Sequence, residues 1–360
     1  MRKVLSNKFL RYSKCIIFCC FSIILFCGCN VNGKIVEPQN TSINQTNPSD
    51  FCLFQDFYSP AFQLIWNDFS DKIVGRKIEF VDGNPQLVDN LNKRRLTENM
   101  LSENDYYKII APQTVKTKND IESAIKHKFN EKSRLLDSIS WREKDDGVTK
   151  VLYCMFKKNV AFPLEFDVLD ADKFIGDKKS DQTYKMFGLK GKQNKYRNQV
   201  IPVYYNDEND YAVRLLTEND DEIILLTSNS DEPILKIWDK FYKEKLSKNS
   251  NENFDSYSYL KVPFVNLSKI VDYVELEDKE IKNSSVVISK AIEAIDFKLD
   301  NKGAVLKNEA LLSVDTARFV NKPKKEYYFN KPFVLFMRTK NDKTPYFSLK
   351  IQDSKYLQKI

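Results

Sequence analysis

Residues 327–351 read YYFNKPFVLFMRTKNDKTPYFSLKI, two strongly apolar runs on either side of a turn of charged residues and a proline. The pattern predicts a hairpin buried as core, because strands this apolar are at home only where both faces are covered. With 360 residues and 42% hydrophobic content, the chain can bury a full core around that hairpin. The formal charge of +7 has a local origin. Of 57 basic residues, five (Arg2, Lys3, Lys8, Arg11 and Lys14) lie before residue 30, where there is no acid; the remaining 52 face 50 acidic residues. That balance gives no support to nucleic-acid binding.

After Lys14 comes CIIFCCFSIILFCG, an apolar run of about 14 residues, short of the roughly 20 needed to span a bilayer. It reads as an export signal. Its end, Phe26-Cys27-Gly28-Cys29, resembles a bacterial lipobox with Leu25 one place further upstream than usual. The expectation is a signal peptide over 1–29, cleaved before Cys29, which then carries lipid such as palmitate and anchors the protein to the cell envelope, outside the cytoplasm. The alternative is an uncleaved signal anchor. Residues 30–50, NVNGKIVEPQNTSINQTNPSD, are polar and read as a tether; residues 51–360 read as a single domain. Of the seven cysteines, only Cys52 and Cys154 belong to that domain, and they are expected either to pair or to leave Cys154 as a buried free thiol.

Ser59-Pro60 opens a helix with Phe62, Ile65, Trp66, Phe69 and Ile73 at helical spacing and Gly75 as its stop. A second helix is predicted from about Asn119 to Ser138, and a third over 234–246. Between them VLYCMF, QVIPVYY, YAVRLL and EIILLT are short apolar runs bounded by Asn and Asp, followed by LKVPFV and SSVVISKAIEAIDFKL as further strands. Early helices followed by many strands predict an α+β protein with large, mainly antiparallel sheets.

Catalytic equipment is sparse. His127 is the single histidine, which argues against a Ser-His-Asp or Cys-His hydrolase and removes every metal site that needs two histidines. The closest glycines, GLKG at 188–191, fit an ordinary turn, and the acid pairs Asp145-Asp146 and Asp220-Asp221 read as hairpin turns. The chain thus reads as a binder, not an enzyme, with neither cofactor nor metal.

FNKPFVLFMRTKNDKTPYFSLKI (329–351) resembles the closing segment of serpins, and EAIDFKLDNKG (293–303) resembles the serpin strand that leads to a glycine at the base of the reactive loop. SPAFQLIW (59–66), VLYCMFKK (151–158), NDYAVRLLTENDDEIILLT (209–227) and LKVPF (260–264) are similar to other serpin segments, in the family's order. The resemblance implies a serpin-like fold in which residues 304–326 are offered as bait to a serine or cysteine protease and, once cut, enter the main sheet as an extra strand. It implies Gly303, Ala304 and Leu306 as the hinge and a bait bond among Ala317, Arg318 and Phe319, with Arg318 suited to a trypsin-like pocket.

Inward-facing residues of such a strand would be Ala304, Leu306, Asn308, Ala310, Leu312, Val314 and Thr316, a burial-compatible alternation broken by Asn308. Several positions depart from the family. Leu306-Lys307-Asn308-Glu309 stand where inhibitory serpins keep small residues, and Asn301 replaces an acid. Phe62 and Leu152 replace polar residues, so the polar network under the main sheet is expected to be missing. These departures favour an alternative, a non-inhibitory serpin-fold surface lipoprotein acting as a binding module.

Overall fold

The computed structural model describes residues 55–176, 181–189, 198–248, 254, 258–305 and 325–360. In chain order the first elements are β1 (Phe57–Tyr58), α1 (Pro60–Asp68), α2 (Gln86–Leu91), β2 (Tyr106–Pro112), α3 (Val115–Phe129), β3 (Lys150–Phe156) and β4 (Asn159–Ala161). Then come β5 (Asp167–Lys173), β6 (Thr183–Leu189), β7 (Val200–Asp207), β8 (Asp210–Leu216), β9 (Asp221–Thr227) and α4 (Ile234–Glu244). The last are β10 (Tyr259–Pro263), β11 (Val265–Asp272), β12 (Ile292–Asp300), β13 (Gly303–Val305), β14 (Glu326–Tyr328), β15 (Phe333–Thr339) and β16 (Phe347–Ile351). The fold is α+β.

The closing hairpin, β15 and β16, lies inside a six-stranded antiparallel sheet of order β1-β16-β15-β9-β8-β7. Both faces are covered, which is why β15 and β9 are apolar almost without alternation and buried along nearly their whole length. On one side Trp238 of α4 packs on Phe336 at 4.9 Å and Phe241 stacks near-parallel on the same ring. Elsewhere Phe347 meets Phe297 of β12 at 4.7 Å, joining this sheet to its neighbour.

A second sheet has the order β14-β10-β6-β5, with β14 parallel to β10 and the other pairs antiparallel. A third has the order β11-β12-β13-β4, and β2 pairs only with β3. β3 and β4 follow each other along the chain with only Lys157 and Lys158 between them, yet they pair on different partners.

Four local predictions need correction. The helix predicted over 119–138 is α3, Val115–Phe129: Thr114 caps its start by accepting from the Thr117 N–H, and Asn130, left-handed at φ 54°, stops it. Leu136 sits in a separate single turn. The run after residue 284 becomes strand only at Ile292. Gly188 is not in a turn but in β6, where a Cβ would lie 1.9 Å from the Leu260 carbonyl oxygen; glycine is there because two strands approach too closely for a side chain. Asp221, read as a turn residue, begins β9 and is buried against Lys158 at 3.2 Å; burial pushes its carboxyl above the usual range, opposed by Lys158 and Tyr346.

Candidate functional site

The hinge positions Gly303 and Ala304 are held between two strands. β13 pairs antiparallel with β12 on one side (Leu299 opposite Ala304) and with β4 on the other (Val160 opposite Ala304), and Ala304 is fully buried. Gly303 has φ 153°, and a Cβ there would sit 2.1 Å from the Val160 carbonyl oxygen, so glycine is required by both conformation and space. The turn before it is tied down: Phe166 N–H donates to the Asn301 carbonyl, the Asn301 amide returns to the Phe166 carbonyl, and Lys302 N–H donates to Asp300.

Residues 306–324 connect β13 to Lys325 and β14, so the two ends of this segment are anchored on different sheets. Leu306, Ala317, Arg318, Phe319, Cys29 and Cys52 lie outside the described residues.

Beyond the hinge the third sheet is split. β12 pairs with β11 over Ile292–Leu299, but on its other side only Lys298–Asp300 have strand partners. β3 has β2 on one side and no strand on the other among the described residues. The two free edges face each other across a cavity of about 120 Å³, bordered by Cys154 and Phe156 of β3 and by Glu293 and Ile295 of β12, with Ser59 and Phe347 also lining it.

Glu293 is the unexpected residue of this cleft. Its carboxylate is buried. It accepts from the Ser59 hydroxyl, from the Tyr273 hydroxyl at 2.9 Å and from the Phe62 backbone N–H. Ser59 caps α1 by position but not by its side chain, so the strand carboxylate supplies what the helix N-terminus lacks. Burial pushes Glu293 from the ordinary 4.5 to about 7, against the three hydrogen bonds that favour the anion. The polar network expected to be missing under the sheet is therefore present, built from Ser59, Glu293 and Tyr273. Phe62 and Leu152 do not interrupt it: the Phe62 ring packs on Tyr273 at 4.4 Å. The sequence did carry a signal for Glu293. It shares strand parity with Ile295, Phe297 and Leu299, all three inward.

Cys154 is a free thiol, half-buried, and burial pushes its pKa up. His127 is exposed in the last turn of α3.

No protein-family model matches the chain, and no curated protein matches its sequence. Solved structures do match. One is Serpin48 from the insect Tenebrio molitor, at 11% identity and a TM-score of 0.43 over 82% of this chain and 91% of that one. Its resemblance is to serpins. A serpin from the trematode Schistosoma haematobium aligns at 14% identity and a TM-score of 0.42, and human glycosylated kallistatin at 16% and 0.41; each match covers 67% of this chain. The serpin-like chain spans 64% of the length of either.

Proposed function

We propose that the chain is an extracytoplasmic serpin-like lipoprotein, anchored to the membrane through acylated Cys29, that traps a serine or cysteine protease with residues 304–326 as bait loop. The observation that carries this reading is the alignment of β13 with the split between β12 and β3. In this reading a bait segment tethered at both ends stays out of the cleft until it is cut. Cutting it would release its first half from β14, and the free segment could continue β13 down the cleft.

An inserted strand that continued the two β13 registers would put Leu306 opposite Phe297, Asn308 between Ile295 and Phe156, and Ala310 between Glu293 and Cys154. On this side neither strand has a strand partner among the described residues beyond Lys298–Asp300, and the inward parity set by Ala304 would put a small residue at the polar floor. With a trypsin-like protease, an SDS-stable covalent complex is expected for the wild type and its loss for Arg318→Ala; clean cleavage with full protease turnover would exclude the trap. The anchor is checked by fractionation: Cys29→Ser is expected to move the protein out of the membrane fraction, and retention there would exclude acylation as the anchor.

One observation favours the second reading, a non-inhibitory binding module. Asn308 would be buried between two apolar neighbours, and an unpartnered buried amide costs about 1–3 kcal/mol. In that reading the loop is cut without either complex or insertion.

A further inference from the structure

We propose that two copies of this chain pair through the outer edge of β2, antiparallel about a two-fold axis at Ile109, so that their β2–β3 ladders join into one four-stranded sheet. The parity of the ladder shows which groups are available. Lys157 N–H donates to the Asp105 carbonyl at one end of the β2–β3 pair, and Gln113 N–H donates to the Thr149 carbonyl at the other. Odd-numbered residues from 105 to 113 therefore turn their backbone groups toward β3, while Tyr106, Lys108, Ile110 and Pro112 turn theirs away. No strand pairs with that side among the described residues.

A sheet edge that faces solvent is ordinarily blunted by shortness, by bulges or by charge. β1, β4 and β14 are two or three residues long, and β5 and β7 are bulged. β11 carries Lys269 and Asp272 and is bridged to the C-terminal segment at Val265 and Leu357. β2 has none of these guards. Its seven residues run in unbroken register, and its one charge, Lys108, is taken up by Asp68 at 2.7 Å and by Glu98.

The occupant is a second copy because the edge complements itself. Two registers give every outward N–H a carbonyl. One sets Lys108 directly against Lys108 of the second copy, which like charges disfavour. The other sets Lys108 opposite Ile110 and Tyr106 opposite Pro112, whose carbonyl can accept from Tyr106 beside its bond from the Thr114 N–H. Ile109 then meets its own copy at the axis. Tyr107 and Ile109 already pack with Ile121 and Ile125 of α3, and a two-fold axis normal to the sheet puts both α3 helices on that face, so the apolar cluster continues across the joint. The pairing uses neither residues 304–326 nor the cleft between β3 and β12, so it stands apart from the bait-loop reading.

Sedimentation of the full-length chain in a mild detergent, over a concentration series, is expected to give a monomer–dimer equilibrium with no larger species. Ile110→Pro removes an outward N–H and leaves the ladder to β3 whole, so it should weaken dimerisation by at least about tenfold without changing the circular dichroism. Ile110→Val should dimerise like the wild type. Under mild oxidation Ile109→Cys should form a disulfide joining position 109 of two chains, since the Cα atoms of a non-hydrogen-bonded antiparallel pair lie about 4.5 Å apart. A wild-type chain that stays monomeric or grows into larger species, an Ile110→Pro chain that dimerises as tightly as the wild type, or no link between the two positions 109 would overturn the proposal, whether or not a protease complex forms.

Discussion

Replacing Arg338 with alanine is expected to lower the free energy of unfolding by about 3–5 kcal/mol, the range for removing one partner of a buried ion pair. Arg338 ends the apolar run of β15 and is almost wholly buried; its Nε donates to Glu222 at 2.6 Å and its Nη1 to the Asp342 carbonyl at 2.6 Å. Its guanidinium lies 5.8 Å from the Trp238 ring and 5.9 Å from Tyr242, so the side chain also packs against α4. Glu222 is fully buried, and its other basic neighbour, Arg214, stays 3.6 Å away. Truncating Arg338 would leave that buried carboxylate with only the longer contact to Arg214, at 3.6 Å, and open space against Trp238. The double variant Glu222→Gln, Arg338→Met should recover part of the loss, because the fully buried carboxylate is gone and the volume is largely kept, while Arg214, left without Glu222, is 24% exposed and reaches water. Denaturant midpoints at constant slope measure both effects. A loss below about 1 kcal/mol for Arg338→Ala would mean that the pair is not holding the hairpin.

The same residues show what a sequence does and does not disclose. The closing hairpin was legible because strands covered on both faces must be apolar throughout, and β15 and β9 are. Gly303 was legible only through resemblance; its physical reason, the Val160 carbonyl beneath it, is a contact between segments some 140 residues apart. Charged residues misled in a consistent way. Asp221 stood in an acid pair and read as turn, and Glu293 stood among apolar residues and went unremarked, because an isolated carboxylate is expected in solvent. Each is buried because a distant partner is folded against it, Lys158 for Asp221, and Ser59 and Tyr273 for Glu293. Such partners have no local signature. The early end of α3 is a smaller case: Asn130 adopts a left-handed turn that apolar spacing does not reveal.

The larger effect concerns the loop. If residues 306–314 fill the split after a cut, Leu306, Leu312 and Val314 would be buried there, each contributing about 1.5–3 kcal/mol if insertion takes it out of water. New backbone hydrogen bonds at about 1 kcal/mol each roughly offset the cost of ordering the strand, about 1–2 kcal/mol per residue. The net gain is then on the order of 5 kcal/mol, which at about 2–4 °C per kcal/mol raises the unfolding temperature by roughly 10–20 °C. A non-inserting loop gives no such gain, since cleavage of an exposed segment leaves the core as it was.

The unfolding temperature of the protein before and after a single cut within 306–324 therefore bears most directly on whether the split sheet is a receptor for its own loop. A rise of roughly 10–20 °C is the predicted result; an unchanged temperature after complete cleavage would contradict it.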